Sequence, residues 1–251
     1  VQQALASGCA PADIAVLYRA HYQALELQLE LTRAGIPFGI ISGLRFFEQA
    51  HVKDLCTLPR LAANPIDFAA FQRIFMLLPR VGERTVSKIW NRLGRRWDPL
   101  AAQERQALIK ALPTGARDSW LPLDEALQGL TGPALAPAPL LQAFYQAFYA
   151  DYNFATFENA GRRQEDLEEL VRFASKYAQL SPFLSEIALL TNADTEADGS
   201  EVAPPAGIRL STIHQAKGLE WQWVIVVWLT EGMFPAQRSI ENSCGLEEER
   251  R

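Results

Sequence analysis

Val224, Ile225, Val226 and Val227 are four branched apolar residues in succession, a run that in–out alternation does not produce. Such a run suits a strand covered on both faces, and strands of that kind belong to parallel sheets joined by helical crossovers. A second β-rich run, Ile208 to Thr212, lies just upstream. Between the two, Ser211, Thr212, His214, Gln215, Lys217 and Glu220 crowd around Gly218. Binding groups concentrate in polar loops held by a rigid strand, so this stretch is the first site candidate.

The chemistry of these residues suits a phosphate-rich ligand. Thr212 and His214 offer a hydroxyl and an imidazole to phosphate or sugar oxygens, Gly218 lets a backbone N–H approach closely, and Glu220 can accept from a ribose hydroxyl. Lys217 suits a phosphate contact or a local ion pair. The competing reading is that His214 and Lys217 only satisfy neighbouring backbone groups, and spacing alone does not separate the two.

Earlier in the chain, Ile14 to Tyr18 reads as a compact apolar strand with Arg19 at its end. Leu25, Leu27, Leu29 and Leu31 alternate like a strand, but no residue from Tyr22 to Leu31 is β-branched, and Gly35 and Pro37 supply a stop. Propensity therefore predicts a helix over 22–34. Phe38 to Ile41 returns as a strand, giving a β-α-β unit whose further partners arrive only near 208 and 224.

The long interval from Gly43 to Pro205 reads as almost entirely helical, with amphipathic segments near 48–58, 67–78, 83–93, 101–112, 140–152, 164–180 and 182–191. Pro59 is expected to kink or end its helix early. Residues 192–207 read as a flexible return linker. Arg80, Arg84, Lys88 and Arg92 recur every four residues, with Arg95 and Arg96 following and Glu83 the single acid. On a helix that spacing makes one basic face, and Val81-Gly82 ahead of it has the shape of a hairpin turn whose amides can meet phosphate. The alternative is a solvated charged face. Phe144, Tyr145, Phe148, Tyr149, Tyr152, Phe154 and Phe157 recur at helical spacing and are read as core rather than as a base-stacking surface.

The string STIHQAKGLEW (211–221), followed by EGMFP (231–235), resembles motif V and its continuation in the UvrD, Rep and PcrA type of superfamily 1 DNA helicases. DIAVLYR (13–19), GLRFFEQAHVKDL (43–55) and LEEERR (246–251) agree with that resemblance. It implies an α/β fold: an incomplete RecA-like motor domain of residues 1–42 and 206–251, interrupted by a helical domain of residues 43–205. It also implies a parent that uses ATP and Mg²⁺ to move 3′ to 5′ along single-stranded DNA and unwind duplex, in DNA repair or replication. Gly218 and Glu220 would contact ATP, Arg19, Thr212 and His214 the single strand, and Gly82, Arg84, Lys88 and Arg92 the duplex. The segment near 79–96 resembles the family's helix-hairpin-helix element, with Arg80 where the family carries a glycine. Two alternatives stand beside this: a subunit of a RecB or AddA type helicase-nuclease, and a non-enzymatic DNA-binding module with a decayed motor.

Absences sharpen the expectation. The 251 residues hold no G-x-x-x-x-G-K-[ST] phosphate loop, so the first motor domain of the same polypeptide is the expected missing partner, and the chain alone is expected to be inactive. There is no initiating Met, no signal peptide and no apolar run approaching the ~20 residues of a membrane span, so a cytoplasmic fragment is expected. Cys9, Cys56 and Cys244 are far apart and suggest neither a disulfide framework nor a metal site. Net charge is −5, which excludes a uniformly basic nucleic-acid binder and leaves only local basic patches to do that work.

Overall fold

A computed structural model describes residues 1–41, 46–130, 136–192 and 207–230. The expectations for 231–235, for 246–251, for the return linker and for the boundaries near 43 and 205 lie outside those residues. The chain divides into two compact units, Val1–Phe46 with Leu190–Arg251, and Phe47–Leu189.

The first unit is built on a parallel sheet. α1 (Gln2–Ala6) precedes β1 (Ile14–Tyr18), α2 (Leu25–Arg33) and β2 (Phe38–Ile40), and the chain returns with β3 (Ile208–Thr212) and β4 (Trp223–Val226). The strand order is β2-β3-β1-β4, so β3 separates the two strands of the early β-α-β unit. Val16 pairs with Leu210 and Ile225, and Ile40 with Leu210, all in parallel register. Ile14, Val16, Tyr18, Leu31, Phe38, Ile208 and Leu210 form the buried core of this unit. The alternating leucines do lie on a helix, as propensity predicts, burying Leu25, Leu29 and Leu31.

One expectation for the sheet fails. β4 is not covered on both faces: Ile225 and Val227 pack against the core, whereas Val224 and Val226 are exposed. Among the described residues β4 is the edge strand, paired only with β1, and its outer face has no covering layer. Among the described residues, then, the run of branched residues is covered on one face only.

The second unit is helical throughout its described residues: α3 (Ala50–Leu55), α4 (Thr57–Ala63), α5 (Phe68–Phe75), α6 (Glu83–Arg92), α7 (Ala102–Ala111), α8 (Thr114–Gln128), α9 (Pro137–Phe144), a π-helical turn (Tyr145–Tyr149), α10 (Ala150–Thr156), α11 (Ala160–Ala174) and the start of α12 (Leu180–Asn192). Pro59 acts as anticipated: it has no N–H for the Leu55 carbonyl, and the helix breaks at Cys56 between α3 and α4.

α8 is not among the segments that periodicity picks out, and Pro122 lies inside it. Pro122 costs an interior helical hydrogen bond, about 3 kcal/mol in an isolated helix. The helix persists because Ala116, Trp120, Leu123 and Leu127 are buried, while Pro122 and Asp118 face solvent. The aromatic stripe is core where it matters, with Phe144, Phe148 and Tyr149 buried and only Phe154 strongly exposed. Rings run continuously from Phe71 to Trp90 (4.6 Å), Phe71 to Phe75 (4.3 Å), Phe75 to Trp120 (4.9 Å) and Trp120 to Phe148 (6.5 Å).

Buried polar pairs tie this core together. Asp54 on α3 accepts from Arg73 Nε on α5 (2.6 Å) and from the Tyr149 hydroxyl (2.7 Å). Burial, and then the adjacent Asp54 carboxylate, holds the Tyr149 hydroxyl well above its ordinary pKa, so it stays the donor. His51 on α3 lies 3.1 Å from Asp166 and accepts from Arg163 Nε at 3.3 Å, both partners on α11.

Candidate functional site

Three parallel strands end together at the carboxyl edge of the sheet, where ligands of parallel α/β sheets bind. The Ile213 N–H donates to the Tyr18 carbonyl (2.9 Å), and the Val227 N–H donates to the Leu17 carbonyl (3.0 Å). The residues that follow, His214, Arg19 and Trp228, therefore emerge beside one another with Arg19 in the middle. Tyr18 is fully buried beneath them, and burial raises its hydroxyl pKa.

The loop after β1 is held by a residue that sequence reasoning did not single out. Gln23 is buried, and its Oε1 accepts from the Arg19 N–H (2.8 Å) and the Ala20 N–H (3.1 Å). Its carbonyl accepts from the Trp228 indole Nε1–H at 2.9 Å. Gln23 thus fixes the backbone that carries Arg19 and connects it to the end of β4. A glutamine five residues past a strand gives no local signal of such a role, because the role depends on a partner 205 positions away.

The turn after β3 has a well-defined shape. The Thr212 carbonyl accepts from the N–H groups of Gln215 (3.1 Å) and Ala216 (3.0 Å), and Leu219 donates to the Ala216 carbonyl (3.0 Å). Thr212 is buried, and its Oγ1 faces the Gln215 N–H at 3.4 Å, capping the turn from within. Gly218 adopts φ +85°, a conformation that strains any residue with a side chain, and open space surrounds it. His214, Lys217, Gly218 and Glu220 are exposed. Among the described residues His214 and Lys217 make no hydrogen bond or ion pair, so neither satisfies nearby backbone. The turn leaves open space beside Gly218, and the Glu220 carboxylate is exposed. The 251 residues hold no G-x-x-x-x-G-K-[ST] phosphate loop.

In the helical unit, α6 presents two faces. Val86, Ile89 and Trp90 are buried, and Arg84, Lys88 and Arg92 line the exposed side without an acidic partner among the described residues. Arg95 donates to Asn91 (3.1 Å) and Arg96 pairs with Glu104 (3.4 Å), so these two differ from the row of three. Arg80 does not belong to the helical row as its spacing suggested: it precedes the helix in the left-handed region, φ 60°. Gly82 is the helix N-cap in extended conformation, and a Cβ there would meet nothing within 4 Å. The left-handed residue of the hairpin is the arginine, and the glycine is not required by local sterics.

A parallel α/β sheet thus carries a polar glycine turn on its carboxyl edge, and a helical unit with an exposed basic helix is inserted between its strands. The family model for the UvrD-like helicase C-terminal domain matches residues 2–110 and 125–251, and the chain belongs to that family. It is 32% identical over 250 residues to DNA helicase II of Haemophilus influenzae, an alignment covering 95% of this chain and 34% of that protein. It is 32% identical over 265 residues to DNA helicase II of Escherichia coli, covering 98% and 35%. ATP-dependent DNA helicase PcrA of Bacillus subtilis is 29% identical over 251 residues, covering 95% and 34%. The chain spans about a third of the length of these relatives. No helix among the described residues is long and apolar enough to cross a membrane.

Proposed function

We propose that this chain is the second motor domain, with its inserted helical domain, of an ATP-dependent DNA helicase that tracks along single-stranded DNA and opens duplex. The carrying observation is the carboxyl edge, where Arg19 and His214 follow the ends of neighbouring strands and one turn leads from His214 to Gly218 and Glu220. One short loop then meets DNA at its start and ATP at its end, so occupancy of either end can bias the other. Arg19 and His214 bind the strand, and Thr212 shapes the turn beneath them. Gly218 and Glu220 take the sugar end of ATP, whose chemistry when bound is phosphoryl transfer at a site shared with a first motor domain. Gly82, Arg84, Lys88 and Arg92 hold the duplex. The 3′ to 5′ polarity, the Mg²⁺ requirement and a role in repair or replication rest on the family resemblance.

Kinetics on the complete polypeptide test this reading. Glu220→Ala is expected to raise the KM for ATP, and His214→Ala to weaken single-strand binding and DNA stimulation while sparing basal turnover. Loss of a hydrogen bond to a charged partner costs on the order of 1.5–3 kcal/mol, so each primary defect is about tenfold or more. If both variants stay within about twofold of the parent, the loop is structural and the proposal fails.

A further inference from the structure

Trp228 is the one bulky residue of the sheet unit held in the left-handed region among the described residues, with φ 62°. A large side chain there is strained by on the order of 1–3 kcal/mol, and such strain persists where the surroundings fix the residue for a purpose. Its indole is not buried to compensate: the residue is 43% exposed. What the conformation achieves is placement. The Nε1–H is tied to the Gln23 carbonyl at 2.9 Å, and the same Gln23 holds the Arg19 and Ala20 amides through its side chain. The indole is thereby held at the carboxyl edge on the side of Arg19, with His214 in the turn after the next strand.

We infer that Trp228 is a base-stacking platform for single-stranded nucleic acid at the carboxyl edge of the sheet, an inference that rests on the single-strand binding proposed above. An anchored indole offers a flat apolar face at little rotamer cost, and any base has a π-face to lay on it, so the contact is independent of sequence. The neighbouring Arg19 guanidinium and His214 imidazole suit the phosphates on either side of the stacked nucleotide. The arrangement pairs backbone neutralisation with stacking, as single-strand binding surfaces do. The rings of the helical unit, by contrast, are mostly buried, with Phe154 the strongly exposed member of its stripe.

The test uses the full 251-residue chain, a short thymidine oligomer and an abasic sugar-phosphate oligomer of the same length, with affinities read by fluorescence anisotropy. Trp228→Gly removes the ring and relieves the left-handed strain, so the fold is retained, as circular dichroism checks. It is expected to weaken thymidine-oligomer binding by about fivefold or more and leave abasic-oligomer binding unchanged. Trp228→Phe keeps an aromatic face and is expected to stay within about twofold of the parent. Equal losses on both oligomers, no loss on either, or a Phe variant as weak as the Gly variant would each overturn stacking while leaving single-strand binding standing. A parent chain that binds neither oligomer overturns both this inference and the reading beneath it.

Discussion

The exposed row on α6 makes a quantitative prediction about salt. Arg84, Lys88 and Arg92 carry no acidic partner among the described residues, so each is available to neutralise a phosphate. A contact with duplex DNA contributes about −0.9 to the slope of log affinity against log salt, and three give about −2.7. Between about 50 and 200 mM salt, a fourfold change, those contacts together account for about a 40-fold loss of affinity. Replacing all three by Ala should therefore flatten the slope by about two to three units for any duplex sequence, allowing for incomplete contact. The structure also supplies an internal control. Arg96 is committed to Glu104, and Arg96→Ala should move the slope by much less than one unit. The assay is anisotropy of a labelled blunt duplex titrated with the full chain across a salt series. An unchanged slope in the triple variant, or an Arg96→Ala effect as large as a third of the expected change, would show that the row is only a solvated face.

Two further predictions concern the helical unit. Asp54→Ala leaves the buried Tyr149 hydroxyl without an acceptor and removes a charge-assisted bond to Arg73, which should cost about 3 kcal/mol by chemical denaturation. Adding Tyr149→Phe should recover part of that loss, and strictly additive costs would refute the pairing. Arg80→Gly relieves a left-handed arginine at an exposed position and should raise stability by about 1 kcal/mol, whereas Arg80→Ala should not; equal effects would deny the strain.

Much of this molecule is legible in its sequence, and the failures share a cause. β1 and α2 follow from local propensity and stop signals, and the basic row of α6 from its spacing, because every residue involved is a near neighbour. α8 is hidden because Pro122 looks like a breaker, and only the burial of Trp120 and Leu123 decides otherwise. The exposed outer face of β4 is hidden because a run of valines does not reveal whether a layer covers it. Arg80 and Trp228 give no sign of left-handed backbone, since glycine is the residue that signals it. The Gln23 latch and the Asp54–Tyr149 pair join positions 205 and 95 residues apart, beyond the reach of any window. At the site, the turn and Gly218 are readable from composition, whereas Thr212, which looks like a ligand group, is buried as a cap.

The strand order carries a consequence for how the chain comes to be folded. β1 and β2 are both finished by residue 40, yet they are not neighbours; β3, which begins at residue 208, sits between them. During synthesis the two early strands therefore have no partner until the whole helical unit has been made. That unit has its own aromatic core, so it can form before the sheet does. Its collapse brings the ends of the intervening segment closer and lowers the closure cost of a very long loop. The sheet is then the last part to assemble, and Ile14–Tyr18 waits as an unpaired apolar strand in the meantime. Destabilising the helical unit should accordingly slow formation of the sheet, and the interval before β3 emerges is when aggregation threatens most.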